Sequence, residues 1–235
     1  MSTAEATLED WAALLRRPAE EVAPRLLGSV LAVRGGAAGG VPANADGRRP
    51  DGERVAGESD AVVAVRLTEV EAYSGERDPG SHAYRGRTVR TAPMFEPGGR
   101  LYVYFSYGMH WCANIVCGPA GTASAVLLRG GEVVEGQELA RARRAAARWD
   151  RDLARGPARL AQALGLTGAD SNLELRPGGR AELTLGEPVD PARLRSGPRV
   201  GVAGPGGDAR TFPWRYWIDG EPTVSVYRPA APRRR

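Results

Sequence analysis

Lysine is absent from this sequence of 235 residues, and all 32 of its basic side chains are arginine. Without lysine, no side-chain amine can form a Schiff base, which excludes covalent catalysis of that kind except through the N-terminal amine. Arginine also binds oxyanions such as phosphate through its planar, forked guanidinium group. The net charge of +4 and the pI of about 9.4 are compatible with a polyanionic partner but do not require one.

Cysteine and histidine are scarce, with two of each, and their spacing matches no metal-binding pattern. Cys112 and Cys117 lie in one apolar stretch and are expected to be reduced core residues, not a disulfide framework. His82 and His110 are isolated, and each is either an acid–base group or an ordinary hydrogen-bonding residue. We therefore expect neither a metal ion nor a cofactor.

Long apolar runs are also missing, since none approaches the roughly 20 residues needed to span a bilayer. Residues 1–10 have neither the basic region nor the apolar core of a secretory signal. We therefore expect a bacterial cytoplasmic protein without membrane contact. No apolar seam is left over for an interface, so we expect a monomer.

Periodicity and turn residues predict strands and helices that alternate without regular βαβ spacing. The predicted strands are 29–33, 61–73, 101–105, 111–116, 125–128 and several within 199–226, and the predicted helices are 7–15, 18–27, 135–151 and 156–164. We expect a single α+β domain over residues 1–235, with helices packed on a curved, mostly antiparallel sheet and a protruding β-hairpin. Residues 35–60, rich in Gly, Ala, Pro and Asp, are predicted to form a flexible loop, and residues 229–235 a disordered tail.

Glu71 and Tyr73 lie two residues apart near the end of an apolar predicted strand, so their side chains share one face. Glu69 lies on the same face if the strand is regular. A carboxylate beside an aromatic ring in such a position is a candidate general base. The pattern by itself, however, favours a solvated glutamate at a strand end.

Three of the seven tyrosines, Tyr102, Tyr104 and Tyr107, fall within six residues. Clustered tyrosines suit stacking on nucleobases, and a bulky residue on a turn suits insertion into a base stack. Packing in the core is the alternative, and we favour it for Tyr102. Gly108 marks a tight turn beside Tyr107, which favours an exposed position for that ring.

Arg85, Arg87 and Arg90 form a basic loop between the two strand-rich stretches. Such a loop is either an ordinary solvated surface or a set of phosphate contacts, which anchor a protein on DNA without reading its sequence.

Five blocks of the sequence, in order along the chain, resemble the alkyladenine (3-methyladenine) DNA glycosylase family. They are LTEVEAYSGERDPGSHAYRGRT (67–88), MFEPGGRLYVYFSYGMHWCANIVC (94–117), AVLLRGGEVVEG (125–136), GPARLAQALG (156–165) and PRVGVAG with PWRYWIDG (198–204 and 213–220). The resemblance runs from about residue 18 to residue 226 and leaves out residues 35–60.

The resemblance implies a role for each matching residue. Glu71 would be the general base that activates water, and Arg129 would help to hold that water. A main-chain carbonyl of Val200 or Val202 would be the third ligand of the water. The residues implied to contact the two faces of a flipped base are Tyr73, His82 and Tyr104. Asn114 would exclude normal purines from the pocket. Tyr107 would insert into the base stack and fill the space that the flipped nucleotide leaves.

The implied activity is hydrolysis of the N-glycosidic bond of alkylated or deaminated purines that are flipped out of duplex DNA. The resemblance thus implies a monofunctional glycosylase that works at the bacterial nucleoid. Two alternatives stay open: a non-catalytic protein that binds damaged DNA on the same scaffold, and an enzyme that acts on free nucleosides or bulky adducts. The joint presence of Glu71, Arg129 and Asn114 favours an enzyme, and Tyr107 favours duplex DNA. The resemblance does not choose among 3-methyladenine, hypoxanthine, ethenoadenine and 7-methylguanine.

Two departures from the family pattern bear on substrate range. Ala113 is smaller than the bulky apolar residue expected before Asn114, which predicts a roomier pocket. Gly130 and Gly131 replace a less flexible pair after Arg129. Changes of this size in a pocket shift discrimination by about 1–3 kcal/mol.

Overall fold

Nine β-strands in one sheet dominate the computed structural model, which describes residues 11–35, 61–106 and 108–230. The strands are β1 (Val30–Arg34), β2 (Val62–Tyr73), β3 (Arg100–Ser106), β4 (His110–Val116), β5 (Ala125–Glu135), β6 (Ala154–Arg155), β7 (Ala181–Thr184), β8 (Leu194–Gly197) and β9 (Arg215–Ile218). Every pairing between these strands is antiparallel. The predicted α+β fold with a mostly antiparallel sheet is therefore confirmed.

Strand β2 is the centre of the sheet, whose order is β3-β4-β5-β2-β1-β7. One edge of β2 pairs with β5, whereas the other edge pairs first with β1 and then, from Glu69 to Glu71, with β9. The β2–β5 register shifts on both sides of Glu69. Such bulges re-aim side chains next to functional sites, and here they lie beside Glu71.

Three helices longer than one turn have both ends within the described residues: α1 (Ala19–Leu26), α2 (Gln137–Arg143) and α3 (Pro157–Leu164). Helix α1 matches the prediction for residues 18–27, and Gly28, at φ 83°, follows its end. Helix α3 follows Gly156, and its last helical residue, Leu164, is followed by the C-cap Gly165. The positive φ of 70° at Gly165 suits a glycine in that position. Residues 11–14 are helical too, but the rest of the predicted helix 7–15 is largely outside the described residues.

The main core forms where the helices cover the sheet, from residues such as Leu15, Leu26, Val65, Ile115 and Leu160, all without exposed surface. A smaller cluster, which includes Tyr102 and Met94, lies under β3 and β4. The predictions for Tyr102 as a packed ring and for Cys112 and Cys117 as buried free thiols are confirmed.

Three secondary-structure predictions were wrong. Strand β5 continues to Glu135 instead of ending at residue 128, because Gly130 and Gly131 pair with β2 on one edge and with β6 on the other. Helix α2 consequently starts at Gln137, and it ends at Arg143 rather than 151. Within 199–226 the only strand is β9; Val200 lies in a turn, and Val202 lies between that turn and a short 3-10 helix, Gly204–Gly207.

Several predictions concern residues outside the described part of the chain. They are the loop from Gly35, of which 36–60 are not described, the last five residues of the predicted tail, and Tyr107. Strands β3 and β4 do form the predicted hairpin, and Gly108 at its turn has a φ of 66°.

Candidate active site

Glu71 is buried at the centre of the sheet, with no exposed surface. Its Oε1 accepts a hydrogen bond from the backbone N–H of Val200 at 2.7 Å, and its Oε2 accepts one from the Tyr73 hydroxyl at 2.8 Å. The pattern-based preference for a solvated glutamate was therefore wrong. The physical reason is that distant segments enclose Glu71, which the local pattern cannot predict: β9 pairs with β2 at Glu71, and the Val200 segment contacts its carboxylate.

Arg129 reaches Glu71 from the neighbouring strand β5. Its Nη1 lies 3.5 Å from Oε2 of Glu71, whereas its Nε donates at 3.0 Å to Oε1 of Glu69. Burial alone would lower the pKa of Arg129, but attraction to Glu71 and Glu69 outweighs it and raises the pKa. A positive guanidinium is thus fixed beside the Glu71 carboxylate.

A cavity of about 690 Å³ opens directly above these groups. That volume lies within the range of small-molecule sites. Glu71 itself lies one layer behind the cavity wall, but the three residues that contact its carboxylate all line the cavity. The candidate residues lining the cavity are Tyr73, His82, Tyr104, Asn114, Arg129, Val200 and Val202, and the structure therefore brings them together.

Aromatic rings form one side of the cavity. Tyr104 stacks on Tyr102 with ring centroids 5.5 Å apart, and the His82 ring meets Tyr104 edge-on at 4.5 Å. The smaller core cluster, to which Tyr102 belongs and against which Tyr104 packs, supports this wall. Burial raises the pKa of Tyr104, and burial together with the Glu71 charge raises that of Tyr73, so both hydroxyls stay protonated.

His82 is neutral near pH 7 in this environment. Although much of the residue is open to solvent, burial of its ring against the tyrosines, with a smaller effect of the Arg90 charge, lowers its pKa to about 4. Its Nδ1 lies 3.3 Å from the Tyr102 hydroxyl, which limits rotation of the ring.

Asn114 lies on β4 and is fixed by a hydrogen bond from its Nδ2 to the Tyr102 carbonyl at 3.0 Å. Ala113 points to the opposite face of β4, into the main core, and does not line the cavity. The expectation that Ala113 enlarges the pocket was therefore wrong, because alternate residues of a strand face opposite sides.

The basic loop is solvent-exposed at Arg85, Arg87 and Arg90. Arg87 pairs with Glu96 at 3.3 Å, while Arg90 lines the cavity above Glu71. Arg85 lines a second cavity of about 870 Å³, which shares His82 with the first. Two of the three guanidinium groups therefore lie at cavities beside the site.

Two buried groups of residues were missed by the sequence analysis. Arg199 pairs with Asp78 behind Tyr73, with its guanidinium carbon 4.5 Å from the centre of that ring. Arg215 and Ser225 both contact Glu69. Their partners lie far away along the chain, so no local pattern signals them.

In the described part of the chain, no three His, Cys, Asp or Glu side chains are placed to hold a metal ion. Within the same ranges, no helix is long and apolar enough to cross a membrane.

Comparison with known protein sequences shows the family of this chain. A sequence model of the methylpurine-DNA glycosylase family matches residues 52–222. A protein of Streptomyces avermitilis named "Putative 3-methyladenine DNA glycosylase" is 53% identical over 221 residues, covering 93% of this chain and 92% of that protein. Proteins with the same name from Leifsonia xyli subsp. xyli (53% over 213 residues, 88% and 87% covered) and Burkholderia cenocepacia (43% over 215 residues, 91% and 89% covered) are also similar. This chain belongs to the methylpurine-DNA glycosylase family, a family of DNA-repair glycosylases.

Proposed function

We propose that the chain is a monofunctional glycosylase that acts as a monomer on duplex DNA and hydrolyses the N-glycosidic bond of flipped alkylated or deaminated purines. The observation that carries this proposal is the position of Glu71: each group that contacts its carboxylate also lines the aromatic cavity. A base in that cavity would have its sugar carbon directed towards this carboxylate.

Glu71 is the general base of the proposed reaction. A water molecule bound beside Glu71 and Arg129, on the cavity side of both, donates one hydrogen to the carboxylate and accepts one from the guanidinium. A carbonyl of Val200 or Val202 accepts its other hydrogen. As the water oxygen bonds to C1′ of the deoxyribose, its proton passes to Glu71. The electron pair of the N-glycosidic bond leaves with the base. The carboxylate also stabilises the positive charge that develops on the sugar.

The aromatic side of the cavity suits a cationic purine, while the charge of Arg129 on the cavity wall is offset by Glu69 and Glu71. His82, with its pKa lowered to about 4, carries no charge near pH 7, and the protonated hydroxyls of Tyr73 and Tyr104 are neutral. The tyrosine faces attract a cation by cation–π interaction. An alkylated purine such as 3-methyladenine leaves as a neutral molecule, so it needs no protein acid. A neutral lesion such as hypoxanthine leaves as an anion or takes a proton from solvent.

Base flipping is part of this proposal, because a base stacked within a duplex cannot enter a cavity beside the buried Glu71. Extrusion costs a few kcal/mol and costs least for damaged pairs. In this proposal Tyr107 fills the space that the nucleotide leaves, Asn114 excludes normal purines, and Arg85 and Arg90 bind phosphates.

The absence of lysine supports the monofunctional assignment. Without a side-chain amine, the product is an abasic site, and no Schiff base leads to strand cleavage.

Duplex oligonucleotides that carry one 3-methyladenine, 7-methylguanine, hypoxanthine or ethenoadenine test the proposal. We expect release of at least one of these bases, with strand breaks that appear only after alkali. Tight binding with no release of any of the four would favour a non-catalytic damage-binding protein. Equally fast release from the free nucleoside would favour a nucleoside enzyme, and breaks without alkali would contradict the monofunctional mechanism.

A further inference from the structure

Glu69, two residues before Glu71 on β2, has no exposed surface and no part in the mechanism above. Its Oε1 accepts hydrogen bonds from Arg129 Nε at 3.0 Å, from Arg215 Nε at 2.7 Å and from the Ser225 hydroxyl at 2.9 Å. Its Oε2 accepts the backbone N–H of Ser225 at 2.7 Å. Four donors therefore fix this one carboxylate.

Arg129 is shared unequally between the two glutamates. Its Nε lies 3.0 Å from Glu69 but 3.5 Å from Oε1 of Glu71, and its Nη1 lies 3.5 Å from Oε2 of Glu71. A direct charge-assisted pair usually has N–O distances of about 2.7–2.9 Å. Glu69 thus has the closer contact, and the guanidinium stays at the outer limit of hydrogen bonding to Glu71.

We propose that Glu69 is a positioning residue for base release, which holds Arg129 beside Glu71 and prevents the two from closing into a tight bidentate pair. The inference rests on the proposed role of Glu71 as the base. A tight pair would occupy the oxygens that must receive the proton of water. It would also stabilise the ionised carboxylate and make Glu71 a weaker base.

The charges of the buried groups support this role. Burial alone would raise the pKa of Glu69, but attraction to Arg129 and Arg215, together with the Ser225 N–H, lowers it. Two carboxylates and two guanidinium groups therefore neutralise one another. If Glu69 were neutral, Arg129 would have Glu71 as its remaining anionic contact, and Glu71 would lose a negative neighbour. Both changes lower the basicity of Glu71.

The segment of residues 223–225 packs against the Glu69 carboxylate. A Cβ on Gly130, the residue after Arg129, would lie only 2.8 Å from the carbonyl oxygen of Thr223 and 3.2 Å from Oε2 of Glu69. The missing side chain lets the segment of residues 223–225 approach closely enough for Ser225 to reach Glu69. This segment follows residue 222, where the family match ends.

The test is the pH dependence of single-turnover base release, measured with a lesion duplex that the wild type processes. The variants are Glu69→Gln and Ser225→Ala, with Glu132→Gln on β5 as the matched control, since Glu132 pairs with Arg66 and its side chain is half exposed. Thermal unfolding and binding of the same duplex are measured for each variant. Glu71→Gln is included to test the proposed base separately.

We expect Glu69→Gln to slow release by about tenfold or more, part of the about 10²–10⁴-fold contribution of a general base. The acid limb of its pH–rate profile, where release slows as the pH falls, should move to lower pH by about one unit, because Glu71 becomes less basic. Ser225→Ala removes one donor to Glu69 and also the 3.4 Å contact of its hydroxyl with Arg129 Nη2. Since it loosens the same Glu69–Arg129 arrangement, it should shift the limb less and in the same direction. If Glu69→Gln does not fold, the acid limb of Ser225→Ala decides in the same way.

An acid limb that stays in place or moves to higher pH in these variants would overturn the inference, whether or not the rate falls. A purely structural role leaves the limb in place or, in a less stable protein, moves it to higher pH. If Glu71→Gln releases base like the wild type, the proposed function itself fails. If only Glu71→Gln is inactive and both other variants match Glu132→Gln, the positioning role fails alone.

Discussion

Arg199 and Asp78 form a bidentate ion pair in which neither side chain has any exposed surface. The Nη1–Oδ2 and Nη2–Oδ1 distances are 2.5 and 2.6 Å, and the guanidinium also donates to the carbonyls of Ala72 and Gly206. The pair therefore connects β2 with the short 3-10 helix Gly204–Gly207. It also lies against the ring of Tyr73, which lines the cavity.

Asp78→Asn tests the contribution of this pair to stability. Removal of one partner leaves a buried guanidinium without its counter-charge, so we expect a loss of about 3–5 kcal/mol in the free energy of unfolding, measured by urea denaturation. The control is Asp150→Asn, which removes an exposed partner of Arg141 and should change little. Equal losses in the two variants would contradict this assignment.

His82 should titrate far below an ordinary histidine. Its ring proton signals in NMR should show a midpoint near pH 4, with His82→Gln used for assignment. Since the unfolded chain binds this proton near the usual 6.5, the unfolded state gains protons first as the pH falls. His82 therefore contributes a loss of stability between about pH 6.5 and 4, which His82→Gln should remove. A midpoint near 6.5 would show that the ring is not shielded.

Asn114→Ala should reduce discrimination against normal purines. The amide is fixed by the Tyr102 carbonyl and lines the cavity, so its loss opens space next to the bound base. The ratio of release rates, lesion over unmodified guanine or adenine, should fall by about tenfold or more. An unchanged ratio at an unchanged lesion rate would exclude Asn114 as the gate.

Arg85→Ala and Arg90→Ala should each weaken DNA binding by a similar factor on damaged and undamaged duplexes. A phosphate contact contributes about one unit to the slope of log K against log salt concentration, so each variant should reduce the slope by about one. Arg195→Ala is the control, because Arg195 pairs with Asp219 and lines neither cavity. A slope equal to that of the wild type would identify these arginines as ordinary surface residues.

The local signals in the sequence predicted well where structure depends on neighbours along the chain. The predicted helices 18–27 and 156–164 match α1 and α3 to within one residue at each end, and the period of two placed Glu71 and Tyr73 on one face. The predicted β3–β4 hairpin also forms, with Ser106 paired to His110.

The predictions failed where distant segments decide the outcome. Glu71 is contacted by Val200, which lies 129 residues away, and Glu69 finds its partners 146 and 156 residues away, in Arg215 and Ser225. The sequence analysis interpreted Gly130 as a flexible residue. In the structure it lies inside the continuous strand β5, where its missing side chain allows the Thr223 carbonyl to approach closely. The short strand β8, with no buried residue, gave no apolar pattern.

Single-turnover base release by Glu71→Gln tests the central claim most directly, with DNA binding and thermal unfolding measured on the same samples. The amide is nearly isosteric but cannot accept the proton of water, so release should fall about 10²–10⁴-fold while binding of the lesion duplex stays within a few-fold. Glu132→Gln should behave like the wild type. Release by Glu71→Gln at the wild-type rate would contradict the assignment of Glu71 as the base.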